Sequence, residues 1–209
     1  AQISDTHIAR PGRPLDRLFE TATKLEHAVE YLVNLPTQPD LVILSGDFVD
    51  EGSAEEYERF QECLEPLTMP VYVIPGNHDD RENLRRAFGD QGSQHHDTFV
   101  QYVVELGGVR LIALDSLLPG MMQGRLCAER LKWLEERLGE NSSAPTIIML
   151  HHPPVAVGIP AMDGPALEGS ETFGDIVSKF DNVERIVAGH VHCHVQRRYH
   201  GTIVLTCPS

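Results

Sequence analysis

The chain has 209 residues, of which 41% are hydrophobic and 23% charged, the make-up of an ordinary soluble globular protein with room for one sizeable core. Its formal net charge of −14 argues against a general nucleic-acid or anionic-membrane binder, since either would present a basic face. No run approaches the ~20 apolar residues that a membrane span needs. The four cysteines, Cys63, Cys127, Cys193 and Cys207, form no CxxC pair and are too sparse for a disulfide scaffold. Reduced thiols and a cytoplasmic location are the expectation. The missing initiator Met and the bare ending Cys207-Pro208-Ser209 suggest a single domain over 1–209 that is trimmed at both ends.

In chain order, residues 1–3 read as the end of a strand, followed at once by Asp5-Thr6-His7. Apolar residues at 15, 18, 19, 22, 25, 28, 29, 32 and 33 predict one long amphipathic helix from Leu15 to Leu35. Asp40 to Leu44 is too apolar to alternate, so it reads as a buried parallel strand, ending in Ser45-Gly46-Asp47. Ser53 and Glu56 form a capping box for a helix over 54–65. Val71 to Ile74 is a further strand, stopped by Pro75-Gly76 and leading into Asn77-His78-Asp79. A short helix covers Arg81 to Phe88, and Gly89 to Asp97 is a polar loop holding His95 and His96. Thr98 to Glu105 and Val109 to Leu114 pair as a hairpin through Gly107-Gly108. The irregular stretch Leu117 to Gly124 carries Met121 and Met122, which either fill gaps or line a mouth. A helix over Ala128 to Leu138 holds the single Trp133. Thr146 to Leu150 is a buried strand that runs into His151-His152-Pro153-Pro154. A Gly- and Pro-rich rim loop spans Gly158 to Gly169, and a helix covers Ser170 to Phe180. Arg185 to Ala188 is a fifth strand, ending in Gly189-His190-Val191-His192, and a last hairpin joins Val195–Tyr199 to Thr202–Leu205.

Five apolar strands are thus each followed by metal-ligating residue types: Asp5 and His7; Asp47; Asn77 and His78; His151; His190 and His192. In an α/β chain of βαβα order these groups fall along one edge of a sheet, where such folds place their ligands. Carboxylate, imidazole and amide oxygen without thiolate suit Mn, Fe, Zn or Co. The groups are too many for one tetrahedral ion and suffice for two if one carboxylate bridges.

The motifs DTH, GD, GNHD, H and GHVH, in this order over essentially the whole chain, resemble the calcineurin-like metallophosphoesterase superfamily. The resemblance implies a four-layer αββα sandwich of two mixed sheets, with the hairpins at 98–114 and 195–205 in the second sheet. It implies that Asp5, His7 and His192 hold one metal, that Asn77, His151 and His190 hold the other, and that Asp47 bridges them. His78 is then not a ligand: together with Asn77 it meets the substrate, and it serves the leaving group, with Asp79 a candidate to orient it. His152 and His194 have no role in the pattern. GDFVDEG, IPGNHDD and MLHHPP resemble the bacterial branch of cyclic-nucleotide and glycerophosphodiester phosphodiesterases, and the latter likeness extends into Ala161-Met162-Asp163. Phosphoprotein phosphatases of the superfamily carry GNHE and extra arginines that are not in place here.

The implied function is hydrolysis of small phosphodiesters, such as cyclic AMP or glycerophosphodiesters. A water bridging two transition-metal ions attacks phosphorus, and His78 protonates the leaving alkoxide. Two divalent ions with Asp5 and Asp47 leave a net +2 at the site, enough to bind an anion on an acidic protein. Partners are then the small-molecule diester, with no nucleic acid and no membrane. The family's chain often continues past the last residue here into a sheet or oligomer contact, so a homo-oligomer is compatible with the pattern and its chain number is not given by the sequence. A metal-dependent DNA nuclease is the main alternative, weakened by the acidic charge. A noncatalytic scaffold of the same fold is a lesser one, since here every ligand position is filled.

Overall fold

A computed structural model describes residues 1–160, 162–163 and 167–209. Three short strands, β1 (Gln2–Ile3), β2 (Val42–Leu44) and β3 (Val71–Val73), form a wholly parallel sheet in the order β1-β2-β3. Between them run α1 (Pro14–Phe19), α2 (Thr21–Val33) and α3 (Ala54–Leu64), with α4 (Arg81–Phe88) after β3.

The second half builds a six-stranded mixed sheet. The hairpin β4 (Tyr102–Leu106) and β5 (Val109–Ala113) forms one side of it. Next in chain order come a two-residue strand β6 (Gly124–Arg125), the helix α5 (Ala128–Glu140) and β7 (Thr146–Met149). They are followed by β8 (Leu167–Glu168), α6 (Ser170–Val177), β9 (Val183–Ala188) and the hairpin β10 (Gln196–Tyr199) with β11 (Thr202–Thr206). The sheet order is β10-β11-β9-β7-β5-β4, with β6 and β8 pairing apart from it as a small parallel ribbon. That ribbon is too short to leave a periodic trace in the sequence.

Alternation along the strands sets the four layers, because successive side chains point to opposite faces. Val42, Leu44 and Val73 face Leu25, Val29, Tyr57, Phe60 and Leu84 of the helices α2 to α4. Ile112, Ile148 and Ile186 face Leu134, Leu138, Phe173 and Ile176 of α5 and α6. Between the sheets, Ile43 and Ile74 meet Leu111, Ala113, Met149 and Val187. Both faces of each sheet are therefore covered, which is why the strands read as continuous apolar runs.

Two expectations change. The helix over 15–35 is two helices, because Glu20 turns left-handed at φ 50° and φ above zero cannot continue an α-helix. The kink swings α1 off the core, leaving Leu18 and Phe19 largely exposed while Ala22, Leu25 and Val29 stay buried. The ligating strand ends also do not share one sheet: those of β1, β2 and β3 belong to the first and those of β7 and β9 to the second. Of the capping box, the Glu56 half is in place: its carboxylate accepts the Ser53 and Glu51 N–H groups, both at 3.1 Å. In the rim loop, Asp163 folds back to accept the Val157 and Gly158 N–H groups. Ala161 lies outside the described residues. Among the described residues no helix is long and apolar enough to cross a membrane.

Candidate metal centre

Five of the seven expected ligands leave their strands in the left-handed backbone region: Asp5 at φ 55°, His7 at 43°, Asp47 at 53°, His190 at 70° and His192 at 53°. Each such non-glycine residue costs of order 1 kcal/mol or more, and strain of this kind persists where the surrounding structure holds it for a function. The loops after β1 and β2 are laced together: Asp5 N–H donates to Gly46 O, His7 N–H to Asp47 O and Ile8 N–H to Phe48 O, at 2.8–3.0 Å. The turn after β9 is tied to the first sheet because His190 N–H reaches both oxygens of Asp5 at 3.0 Å.

These tethers bring the ligating atoms into four overlapping groups, each within 4.8 Å: Asp5, His7 and His192; Asp5, Asp47 and His151; His151, His152 and His190; and His7, Asp50 and His78. His7 Nε2 and His192 Nε2 stand 3.3 Å apart, and Asp5 Oδ1 is 3.6 Å from His192 Nε2. Asp47 sits between the groups, its Oδ2 being 3.3 Å from His151 Nε2 and 3.9 Å from His7 Nε2, while its Oδ1 accepts the His78 N–H at 2.8 Å. Two of the imidazoles have their other nitrogen engaged. His151 Nδ1–H donates to Ser45 O at 2.7 Å, and His192 Nδ1 lies 3.0 Å from Ser209 Oγ. Such partners aim the remaining nitrogen at a cation.

The atoms left over fit a metal. Asn77 Oδ1 is buried with no hydrogen-bond partner, a state that is costly unless something else satisfies it, and the buried His151 Nε2 faces only the Asp47 carboxylate, at 3.3 Å. Burial pushes both His7 and His190 down to about 4, so their lone pairs are free at neutral pH. Burial also pushes His151 down, but the Asp47 charge outweighs it and holds His151 up at about 9; a cation at Nε2 would displace that proton. Burial raises Asp5. Gly76 has to lack a side chain, since a Cβ there would lie 2.2 Å from Asp47 Oδ1. A cation present well above its dissociation constant stabilises the fold, by about 2.7 kcal/mol at a hundredfold excess. Chelation is therefore expected to lower Tm by roughly 5–10 °C in a chain of this size, and a differential scan with and without Mn would read it.

His78 and Asp79 behave differently from the expectation for the pair. His78 is exposed, donates Nδ1–H to the Asp50 carbonyl at 2.7 Å, and lies edge-on to His7 with ring centres 4.6 Å apart. Asp50, whose carboxylate is also 3.8 Å away, is thus the residue that orients it. Its only trace in the sequence is its place three residues past Asp47. Asp79 does not orient His78. It is buried, and its carboxylate accepts Asp47 N–H at 2.7 Å, Gly76 N–H at 2.8 Å and the Tyr57 hydroxyl at 2.9 Å. Burial, with the Asp47 charge beside it, pushes Asp79 up to about 7. Its work is to lock the turns after β2 and β3 together. Asp79→Ala leaves two buried N–H groups unpaired and is expected to cost about 3 kcal/mol in urea unfolding, with Asp79→Asn costing less.

His152 lies inside the third group, yet both of its nitrogens are engaged, Nδ1 with Ser116 Oγ at 2.8 Å and Nε2 with Met122 O at 3.1 Å. His151 is the one whose Nε2 faces the bridging position, beside the Asp47 carboxylate. His95 lies in the 89–97 loop, away from every ligating group, and His194 joins none of them.

A family model described as calcineurin-like phosphoesterase matches residues 1–194. A protein of Arcobacter nitrofigilis named probable glycerophosphodiester phosphodiesterase is 38% identical over 209 residues, covering 100% of this chain and 77% of that one. One from Synechococcus named probable cyclic nucleotide phosphodiesterase is 36% identical over 211 residues, covering 100% and 79%. Among solved structures, a dimetal phosphatase from Danio rerio superposes with a TM-score of 0.81 at 16% identity, covering 99% of this chain and 86% of that one, a likeness of fold. The matched stretch contains every residue of the cluster from Asp5 to His192. With that match, two relatives similar along their whole overlap and ligating groups gathered where two sheets meet, the chain belongs to the calcineurin-like phosphoesterase family.

Proposed function

We propose that the protein is a metal-dependent phosphoric diester hydrolase acting on small phosphodiesters, with 3′,5′-cyclic nucleotides and glycerophosphodiesters as the candidate substrates. The observation that carries this reading is Asp47, whose one carboxylate oxygen faces both His7 and His151 between two clusters of ligating side chains. Asp5, His7 and His192 would hold one transition-metal ion, Asn77, His151 and His190 a second, and Asp47 both, with Mn, Fe, Zn or Co suited to the donor set. When bound, such a pair supplies Lewis acidity, drawing charge from phosphoryl oxygens and making water a nucleophile near neutral pH.

The chain's own groups do the rest. Asp79 and the Gly76 turn fix where Asp47 points. His78 is anchored through Nδ1 to Asp50 O, so its Nε2 is the atom that can meet the diester and deliver a proton to the departing alkoxide. The net charge of −14 supports a small anionic substrate drawn to a local cationic site rather than a nucleic acid held by a basic groove. Four free cysteines support a reducing compartment, the cytoplasm. The test is hydrolysis of bis(p-nitrophenyl) phosphate by Mn-reconstituted protein, followed by a panel of cyclic AMP and glycerophosphodiesters. Activity lost to chelator and restored by metal supports the proposal; no diester hydrolysis under any metal would end it.

A further inference from the structure

We propose that Gln2 is a positioning residue for the second metal ion. Its side-chain amide spans the two sheets and holds the turn that carries His190 at a set distance from the turn that carries Asp47 and anchors His151. The inference goes beyond the phosphodiesterase reading and rests on it only for the two ions whose binding it concerns.

Gln2 lies on β1 in register with Ile43, so its side chain points between the sheets, into the layer of Ile43, Ile74, Met149 and Val187. A polar group in such a layer is costly unless it is bonded. Gln2 Nε2 lies 2.9 Å from Ser45 Oγ and 3.0 Å from Ala188 O. A carbonyl oxygen only accepts, so the amide nitrogen and not its oxygen faces Ala188. That nitrogen has two protons, and the two contacts use both. Ser45 follows β2 of the first sheet and Ala188 ends β9 of the second, so one side chain joins the sheets. The hydrogen bonds run on from there. The buried Ser45 hydroxyl donates to Ser4 Oγ at 2.8 Å, and the Ser4 hydroxyl turns back to Ser45 O at 3.4 Å. That same carbonyl receives His151 Nδ1–H at 2.7 Å. At its other end the amide grips Ala188, two residues before His190. A Cβ at Gly189 would run into Ser4 Oγ and lie 2.9 Å from Ser45 O, so the sheets close to backbone contact at this point.

The groups assigned to the second ion come from both sheets: Asp47 and Asn77 from the first, His151 and His190 from the second. Their spacing is therefore the gap between the sheets, which the Gln2 amide bridges. The first ion depends on it less. Asp5 and His7 are laced to Gly46 and Asp47 by backbone hydrogen bonds in which Gln2 takes no part. Partners that orient metal ligands are typically worth about 10- to 100-fold in metal affinity.

The test compares the wild type with Gln2→Met, which keeps the length of the side chain and removes both donors, and with Ser45→Ala, which removes the next hydroxyl. Mn binding is titrated by calorimetry, and the His151 Nδ1 proton is followed by NMR in the metal-free chain with labelled histidine. Gln2→Met is expected to weaken the second ion by about 10- to 100-fold, to leave the first unchanged and to broaden the His151 Nδ1–H signal. Ser45→Ala is expected to weaken the same ion. The double variant should lose less than the product of the two losses, because both substitutions break one chain of hydrogen bonds. Equal weakening of both ions, an unchanged second ion, an unchanged proton signal in Gln2→Met, or losses that multiply in the double variant would overturn the proposal. A wild-type chain that binds fewer than two ions would instead strike the two-metal reading, and the His151 signal of metal-free Gln2→Met would still decide for or against the tether.

Discussion

Asp47→Ala is expected to empty the metal centre: metal analysis should fall from two ions per chain to none, and diester hydrolysis by at least about 10³-fold. The reason is placement. One carboxylate oxygen serves both clusters, 3.9 Å from His7 Nε2 and 3.3 Å from His151 Nε2, so its loss removes a ligand from each. It also removes the charge that offsets two cations brought together. Metal assistance is worth several kcal/mol of barrier, and about 4 kcal/mol is a factor of 10³. The fold should survive, because the Asp79 lock grips the Asp47 backbone N–H and not its side chain. Circular dichroism of the variant should therefore match the wild type. Two ions still bound in the variant would contradict the bridging role.

His78→Ala tests the opposite case, a group that reacts without holding metal. Its side chain is 39% exposed, so truncation should cost little stability. Its backbone N–H still reaches Asp47 Oδ1, so the bridging carboxylate keeps its orientation. Both ions should remain, and kcat should fall by roughly 10²–10⁴-fold, the usual worth of a positioned proton donor. The loss should shrink for a diester with an acidic leaving group such as p-nitrophenolate, which departs without a proton. Full activity on an alkyl diester would remove His78 from the mechanism.

The candidate metal ligands are legible in the sequence because they share one construction: an apolar strand, then a turn carrying Asp, Asn or His. The conformations those residues adopt are not legible there. Left-handed φ at Asp5, His7, Asp47, His190 and His192 is only weakly marked by residue type, since Asp and His are enriched there but glycine alone adopts it freely. Glu20 hides for the same reason: the apolar spacing across it is helical, and only the turn at φ 50° breaks the register. Asp79 lies beside His78 in the chain and suggests a partnership, yet backbone direction sends its carboxylate inward to Asp47 and Gly76. Asp50 orients His78 through a carbonyl oxygen, a group every residue has. His151 and His152 are alike as letters; their hydrogen bonds leave Nε2 of one beside the Asp47 carboxylate and engage both nitrogens of the other.

By itself, then, the order of apolar runs and polar turns determined an α/β class and the ligating residue types at the strand ends, because periodicity and turn chemistry are local properties, while the αββα layering was implied by the family resemblance. Only the tertiary structure decided that the set is drawn from two sheets, which backbone groups hold Asp47 between the clusters, and which histidine nitrogens the loops engage. Those outcomes depend on hydrogen bonds between residues up to 185 positions apart, such as His190 to Asp5, and separation in the chain carries no record of them.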